Sequence, residues 1–446
     1  MLIRSIPEWV RAGLIWGFLF LFPIEARSAV APVGHLPSVT VSLTPSIYAL
    51  PILMVEEMGE WKDFGIQIRL KIYDNGRQQI EKLDENGWEV AVMDPFHGIQ
   101  GGNEGKTAVV GVAGNFSSQL HLVFAKGERP PPLSGLSQWI QGKRVICPAP
   151  SIEHYFLTSL LAGQSPKTLP KTVSPKGKDG GEEAFFRGEG DVWVTSSPRA
   201  LALVRKEPGT PIGFREGTIF LPATLVAAAL YADTRKTLVI RWLEGYGRGI
   251  RIIQSDPPRA AARLKRFWKE TLNFEIPAAI LLPEIQKAFI FGEKERADLL
   301  LLSQGRKNSR LKDFARSMTL YLSHWKAIET KAETSEYILP KICEELSGLR
   351  SEAEAQLGKT HIAIQLAREA GAPVKELDRT WQEAKIQIQE GRGCLAVIGI
   401  LSDLQRSADQ ARITSRMLRN FRRIEMAIGG ILLFYYIGYA IRRRRR

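Results

Sequence analysis

The sequence predicts an α/β protein of two lobes, followed by a helical stalk and a single membrane-crossing helix. Three observations point to this class. Short apolar strand-like runs alternate with helix-like stretches across residues 39–125 and do so again beyond the break Arg129-Pro130-Pro131-Pro132, an alternation that implies largely parallel sheets with helical crossovers. From residue 343 to 421 strand signals disappear, and Ala, Glu, Gln, Leu and Arg take over. Both ends are apolar, and the last apolar run, 426–441, leads straight into the arginines of 442–446.

The N-terminal end reads as an export signal, 1–31. Arg4 and Arg11 precede the apolar stretch 14–24, and small residues follow, with cleavage expected after Ala29 or Ala31; an uncleaved anchor is the alternative. Residues 426–441 would form a helix about 24 Å long at ~1.5 Å per residue, short for a hydrocarbon core of about 30 Å. Ile424 and the snorkelling stems of Arg422, Arg423 and Arg442 lengthen it, while Tyr435, Tyr436 and Tyr439 suit an interfacial band. A soluble helix with a basic nucleic-acid-binding tail is the competing reading. The positive-inside rule places 442–446 in the cytoplasm and the body on the periplasmic or extracytoplasmic face of the inner membrane. Nothing follows Arg446, so no fused kinase or cyclase domain is expected.

The formal charge of +14 in 446 residues is spread among acidic neighbours outside the tail, which argues against nucleic acid as a partner. Three cysteines, Cys147, Cys343 and Cys394, are too few and too scattered for a disulfide framework. Six histidines show no i, i+4 pair and no cysteine partner at metal spacing, so neither a metal nor a cofactor is expected. The segment Gly101-Gly102-Asn103-Glu104-Gly105-Lys106-Thr107 fails as a phosphate loop, because position 100 is Gln100 and the segment precedes a strand. No G-x-S-x-G occurs. An enzyme is not the expected outcome.

Along the first lobe, 38–125, residues 39–43 read as a buried strand. Thr44-Pro45-Ser46 starts a helix over 47–58 that Gly59 closes, and 66–72 alternates as a second strand. A helix near 77–83 and a strand 89–93 follow, the latter stopping at Asp94-Pro95, where another helix begins. Residues 108–113 and 119–124 complete this lobe as strands. In the second lobe, 126–221, strands are expected at 143–147 and 191–195, with helices at 152–161 and after Pro198. The return, 222–340, turns helical from 234 onward.

These residues resemble, in order, periplasmic solute-binding proteins for nitrate, sulfonate, taurine and thiamine-pyrimidine ligands. The resemblance rests on the opening strand, Thr44-Pro45-Ser46, Glu56-Glu57-Met58-Gly59 and the Phe64-Gly65-Ile66 turn. It continues through Gly142-Lys143-Arg144-Val145, the stretch Phe186-Arg187-Gly188-Glu189-Gly190-Asp191-Val192-Trp193-Val194, and Leu221-Pro222-Ala223-Thr224. It spans roughly residues 39–340 and implies a type II binding-protein fold, in which two lobes joined by two crossovers close on a ligand. In open α/β sheets ligands sit at the carboxyl ends of strands, where helix N-termini offer free N–H groups to an anion.

The junctions that qualify are Thr44-Pro45-Ser46, Asp94-Pro95-Phe96-His97, Ala149-Pro150-Ser151 and Thr195-Ser196-Ser197-Pro198, with the hinge-side segment from Gly114 to Ser118. The ligand-contact candidates are Thr44, Ser46, Tyr48, Asp94, Phe96, Asn115, Ser151, Thr195 and Thr224, with His154 and Tyr155 as further aromatic walls. Any one of these Ser, Thr or Asp residues is also a plain helix cap. Asp94 would repel nitrate or a sulfonate and favour an amine or pyrimidine; Arg77 and Arg187 are candidate anion partners.

In the stalk, 343–425, Leu346, Leu349, Ala353 and Leu357 recur at helical spacing, as do Val374, Leu377, Trp381, Ala384 and Ile388 after the break Gly371-Ala372-Pro373. A third helix from Cys394 enters the span at 426–441. The stalk either presents the lobes to a membrane partner or is a bare spacer. The expected function is capture of a small molecule and delivery to an ABC-type permease; the alternative is a sensor that signals to a membrane partner through the stalk.

Overall fold

A computed structural model describes residues 36–85, 87–131, 135–162, 170–174, 180–207, 210–213, 219–289, 309–329 and 333–444. The expected signal, 1–31, and the last two arginines lie outside these. Among the described residues there are ten strands: β1 Ser38–Leu43, β2 Gln67–Ile72, β3 Val90–Met93, β4 Thr107–Asn115, β5 Leu120–Phe124, β6 Arg144–Ile146, β7 Lys171–Val173, β8 Val192–Ser196, β9 Ile212–Gly213 and β10 Pro222–Ala228. They form two five-stranded sheets of equivalent order, β2-β1-β3-β10-β4 and β7-β6-β8-β5-β9. β1 runs parallel to β2 and β3, and β6 runs parallel to β7 and β8. One strand in each sheet opposes its neighbours: β10 lies antiparallel between β3 and β4, and β5 is antiparallel to β8 and β9.

The two odd strands are donated by the crossovers. After β4 the chain passes through the turn Phe116–Gln119 and enters the second sheet as β5. It returns through Leu221 and enters the first sheet as β10. Residues 120–124, expected in the first lobe, therefore belong to the second, and the lobe boundary falls in 116–119 rather than at 125. A continuous apolar run carries no signal about which of two sheets completes its hydrogen-bond ladder; backbone pairing between β5 and β8 decides it.

Helices cover both sheets, so β1 is buried along Val39, Val41 and Leu43 on one face and along Thr40 and Ser42 on the other, as a strand covered on both faces must be. Gly59 and Gly65 take left-handed φ of 65° and 68°, conformations that glycine adopts without steric cost. The expected helix over 47–58 divides into a short turn, Ile47–Ala49, and the helix Leu50–Glu57. On it lies the long helix Lys236–Ser255, whose Gly249 approaches so closely that a Cβ there would meet the Pro51 carbonyl oxygen at 2.1 Å.

The C-terminal quarter is a bundle of the helices Pro340–Glu369, Lys375–Glu390 and Cys394–Arg444. Val397, Leu401, Leu404 and Ala408 bury one stripe of the last helix, at the alternating spacing of a helix–helix seam. The Thr360 hydroxyl bonds the Leu401 carbonyl oxygen (3.1 Å), and the Trp381 indole donates to the Leu357 carbonyl (3.0 Å). The bundle is joined to the first lobe. Arg251 donates to the Gly391 carbonyl at 2.6 Å, Glu244 accepts from the Leu395 N–H at 3.3 Å, and Arg248 makes paired bonds of 2.7 and 3.0 Å to Glu60, with Arg392 3.8 Å from the same carboxylate.

Among the described residues no helix is long and apolar enough to cross a membrane. The expected span 426–441 falls only partly within the description, which stops short of the side chains of 436 and 438–446. Met426, Ile431, Phe434 and Tyr435 within it are all exposed.

Candidate functional site

The carboxyl ends of β1, β3 and β4 in one lobe, and of β6 and β8 in the other, converge on the crossovers, since β4 ends at Asn115 and β5 starts opposite the end of β8, with Leu120 paired to Ser196. This is where the sequence expected the ligand.

At the β1 end, Ser46 caps the following turn by accepting from the Tyr48 N–H at 3.2 Å, and its own N–H donates to the Thr44 carbonyl at 2.6 Å. Tyr48 is not an open wall. It is fully buried, its hydroxyl donates to the Asn115 carbonyl at 2.8 Å, and its ring packs 6.1 Å from Phe116 and 5.7 Å from Phe289. Burial pushes its phenol well above the usual range, so it acts as a neutral strut under the hinge. Asn115 is likewise committed: its Oδ1 accepts from the N–H groups of Leu221 (3.0 Å) and Ser117 (3.3 Å), and its amide donates to the Ile219 carbonyl (3.3 Å). Those bonds tie one crossover to the other.

At the β3 end, Asp94 caps the helix Pro95–Asn103, accepting from the His97 N–H at 3.0 Å through Oδ1, and its Oδ2 stands 2.7 Å from the His97 ring Nδ1. Burial works to raise the Asp94 carboxyl, yet the facing His97 outweighs it and holds the group below its ordinary range; burial would likewise lower His97, and Asp94 raises it instead. The carboxylate thus brings its own counter-charge. Thr224, by contrast, is enclosed: its hydroxyl donates to the Met93 carbonyl at 3.3 Å, and a Cβ on Gly98 would lie 2.1 Å from its oxygen.

In the second lobe, Ser151 caps the helix Ile152–Leu160, accepting from the His154 N–H at 3.1 Å and donating to the Pro148 carbonyl at 2.6 Å. Glu153, in the first turn of that helix, has its carboxyl raised by burial, and the Asp94 charge adds to the effect. Thr195 is buried on β8 beside His121 of β5; His121 bonds the Ser197 hydroxyl at 2.7 Å, and burial pushes its imidazole down to about 4.

The sequence reading took the return as helical from 234 onward but named no site residue on the element that joins these parts, the helix Arg310–His324. One side of it meets the first lobe, where Asn103 donates to the Thr319 hydroxyl at 3.0 Å and Phe96 meets the Tyr321 ring edge-on at 6.5 Å. The other side meets the second lobe: Tyr321 Oη lies 2.7 Å from Nδ1 of His154, Tyr155 bonds the Ser317 hydroxyl at 2.9 Å, and Trp325 packs edge-on to His154 at 5.1 Å. Phe96, His154 and Tyr155 are brought together, with Tyr321 between them.

The candidate anion partners are elsewhere. Arg77 pairs with Glu81 at 2.8 Å and Arg187 with Glu189 at 2.6 Å, both largely exposed. A groove of about 780 Å³, lined by Glu104, Asp233, Lys236, Glu336, Tyr337 and Lys341, lies at the start of β4, the opposite edge of the first sheet. Among the described residues no group of His, Cys, Asp and Glu is arranged to hold a metal ion.

No protein-family model matches the chain, and no curated protein matches it in sequence. Solved structures do resemble it. The periplasmic aliphatic sulphonate-binding protein SsuA of Escherichia coli superposes with a TM-score of 0.52 at 15% identity, over 69% of this chain and 99% of that one. The alkanesulfonate-binding SsuA of Xanthomonas axonopodis pv. citri, bound to MOPS, gives 0.51 at 12% identity over 68% and 99%. The periplasmic nitrate-binding protein NrtA of Synechocystis PCC 6803 gives 0.50 at 10% identity over 70% and 88%. At these identities the likeness is one of fold. The chain has the two-lobe α/β fold of type II periplasmic binding proteins, with two mixed sheets and additional C-terminal helices.

Proposed function

We propose that this chain is an extracytoplasmic solute-binding protein that captures a small molecule between its lobes and hands it to an ABC-type permease, without covalent chemistry. One observation supports the reading: two sheets of equivalent strand order are joined by paired crossovers, and the helix starts capped by Asp94 and Ser151 follow strands that end on the crossover side. The ligand classes that fit are a nitrate-, sulfonate- or taurine-like anion, or a pyrimidine precursor. The Asp94–His97 pair weakens the electrostatic objection to an anion, because the carboxylate is already matched. With Arg77 and Arg187 paired elsewhere, recognition falls to helix N–H groups and hydroxyls, of which Ser46, Ser151 and Thr195 are the candidates.

The C-terminal helix supplies the tether. Beyond Arg419 its side chains Phe421, Ile424, Met426, Ile428, Ile431, Leu432, Leu433, Phe434 and Tyr435 are exposed around its circumference, and a helix that is apolar all round requires a protein core or a bilayer as its solvent. We assign the span to 426–441, with the arginine tail inside.

Native mass spectrometry of the full-length protein, followed by calorimetry with nitrate, taurine, an alkanesulfonate and an aminopyrimidine, tests the capture reading. One of these should bind at one per chain; no binding of any of them, together with no co-purifying small molecule, would refute it. The sensor reading draws on one observation, the contacts of the bundle with the first lobe through Arg392 to Glu60 and Arg251 to the Gly391 carbonyl. Crosslinking in membranes separates the two, since a permease partner supports uptake and a kinase or cyclase supports sensing.

A further inference from the structure

The exposed stretch of the last helix just before the apolar run departs from the pattern of the rest of the bundle. Elsewhere in the bundle, exposed arginines are answered by acids: Arg350 by Glu354, Arg368 by Asp378, Arg379 by Glu376, and Arg406 by Asp403. Between residues 410 and 424 there are five arginines and no Asp or Glu. None of Arg412, Arg416, Arg422 and Arg423 forms an ion pair among the described residues, and Arg419 donates only to the Glu369 carbonyl, at 3.2 Å.

Their spacing is directional. Arg412, Arg416, Arg419 and Arg423 recur at intervals of four, three and four, so they stand on one face of the helix over about 17 Å. Ile413, Met417 and Ile424 fall on another face and are exposed. Like charges one turn apart repel, and the acids that bound the segment, Asp409 and Glu425, form no ion pair with this row among the described residues.

We propose that this arginine ridge is a docking surface for anionic phospholipid headgroups, an inference that rests on the membrane tether assigned above. Two positional facts fix the occupant. Arg419 touches the carbonyl of Glu369, the last residue of the first bundle helix, so the bundle tip lies level with Arg419: Arg412 and Arg416 flank the bundle and Arg423 lies beyond it. From Arg419 to Met426, the first residue of the apolar run, is about 10 Å of helix, comparable with the headgroup layer on one side of a bilayer. The far half of the ridge, Arg419 and Arg423, therefore occupies the interval between bundle tip and hydrocarbon, where an anionic headgroup supplies the missing counter-charge. A second copy of this chain does not complement it, because it would bring another row of arginines.

The test uses the full-length protein reconstituted in phosphatidylcholine vesicles that carry spin-labelled phosphatidylglycerol or spin-labelled phosphatidylcholine. The wild type should restrict the anionic label several-fold more than the zwitterionic one, and the excess should shrink in high salt. The variant Arg412→Gln/Arg416→Gln/Arg419→Gln/Arg423→Gln should lose most of that excess, whereas replacing the arginines of 442–446 by Gln should leave a clear part of it. An excess unchanged in the ridge variant, or crosslinked dimers without lipid selectivity, overturns the proposal. Resistance to alkaline carbonate reports the tether separately. A chain extracted by carbonate that still floats with phosphatidylglycerol vesicles, and not with phosphatidylcholine vesicles, keeps the ridge and removes the tether; one that resists carbonate without selectivity does the reverse.

Discussion

The hydroxyl of Tyr321 lies 2.7 Å from Nδ1 of His154 and 3.4 Å from the Ser151 carbonyl oxygen. Both contacts form at once when the imidazole donates to the phenol oxygen and the phenol donates to the carbonyl. Tyr321 belongs to a helix seated against the first lobe through Asn103 and Thr319, so this pair of bonds crosses from one lobe to the other at the start of a helix that faces the cleft.

Removing the hydroxyl should favour the open form. Tyr321→Phe deletes the two hydrogen bonds that cross between the lobes here and keeps the ring packing, a change worth about 1 kcal/mol, or roughly fivefold in the ratio of closed to open forms if these bonds belong to the closed one. Spin labels at Lys71 and Lys171, on exposed positions of β2 and β7, would report this as a larger share of long distances. An unchanged distance distribution would show that the contact is incidental to closure.

The Asp94–His97 pair predicts a displaced histidine titration. Its contribution to stability has two edges: the Asp94 part is lost as pH falls through its lowered pKa, and the His97 part is lost as pH rises through its raised pKa. The His97 ring resonance should therefore titrate above the ordinary value of about 6.5. In Asp94→Asn the raising charge is gone while burial remains, so the midpoint should fall. A His97 midpoint that ignores the Asp94 substitution would show that the pair does not form in solution.

What could be read from the sequence was whatever local chemistry determines. Asp94 and Ser151 were legible as helix starts because a cap bonds residues two or three positions away, and both do so. The glycines at 101 and 102, dismissed as a phosphate loop, belong to the helix Pro95–Asn103, where added Cβ atoms would meet Thr107 at 2.8 Å and Tyr337 at 2.4 Å; they allow close packing. Long-range partners left no trace. Tyr48 looked like a cleft wall, yet its hydroxyl reaches the backbone at Asn115, 67 positions away, and Tyr321 meets His154 across 167 positions. Neither spacing has a periodicity to reveal it.

Asn115 should be a hinge residue whose loss is felt in both crossovers. Asn115→Ala strips the acceptor from the N–H groups of Leu221 and Ser117 and the donor from the Ile219 carbonyl. Leaving such groups unmatched at a partly buried site costs about 1–3 kcal/mol. Denaturant unfolding should show a loss of that size, and Asn115→Asp should recover part of it by restoring the acceptor alone. A loss below about 0.5 kcal/mol in the alanine variant would mean that water takes over these bonds.

The docking of the bundle should weaken as pH rises. Glu244, on the helix Lys236–Ser255, is 9% exposed and accepts from the Leu395 N–H at the start of the last helix. Burial pushes its carboxyl up to about 7, against the pull of the N–H groups of Leu395 and Cys394 and the charges of Arg241 and Arg251. A folded-state pKa above that of the unfolded chain means that, between the two values, the folded form holds a proton that the unfolded form has released. Stability then falls with rising pH across that window and levels off above it. The span corresponds to on the order of 3 kcal/mol. Glu244→Gln keeps an acceptor for Leu395 and cannot titrate, so hydrogen exchange at Val397 and Leu401 should slow relative to wild type at pH 8, after correction for intrinsic rates, and match it near pH 5. Equal protection of the two proteins at both pH values would mean that Glu244 is paired or hydrated when the bundle is docked, and that its burial places no charge penalty on the joint between lobe and stalk.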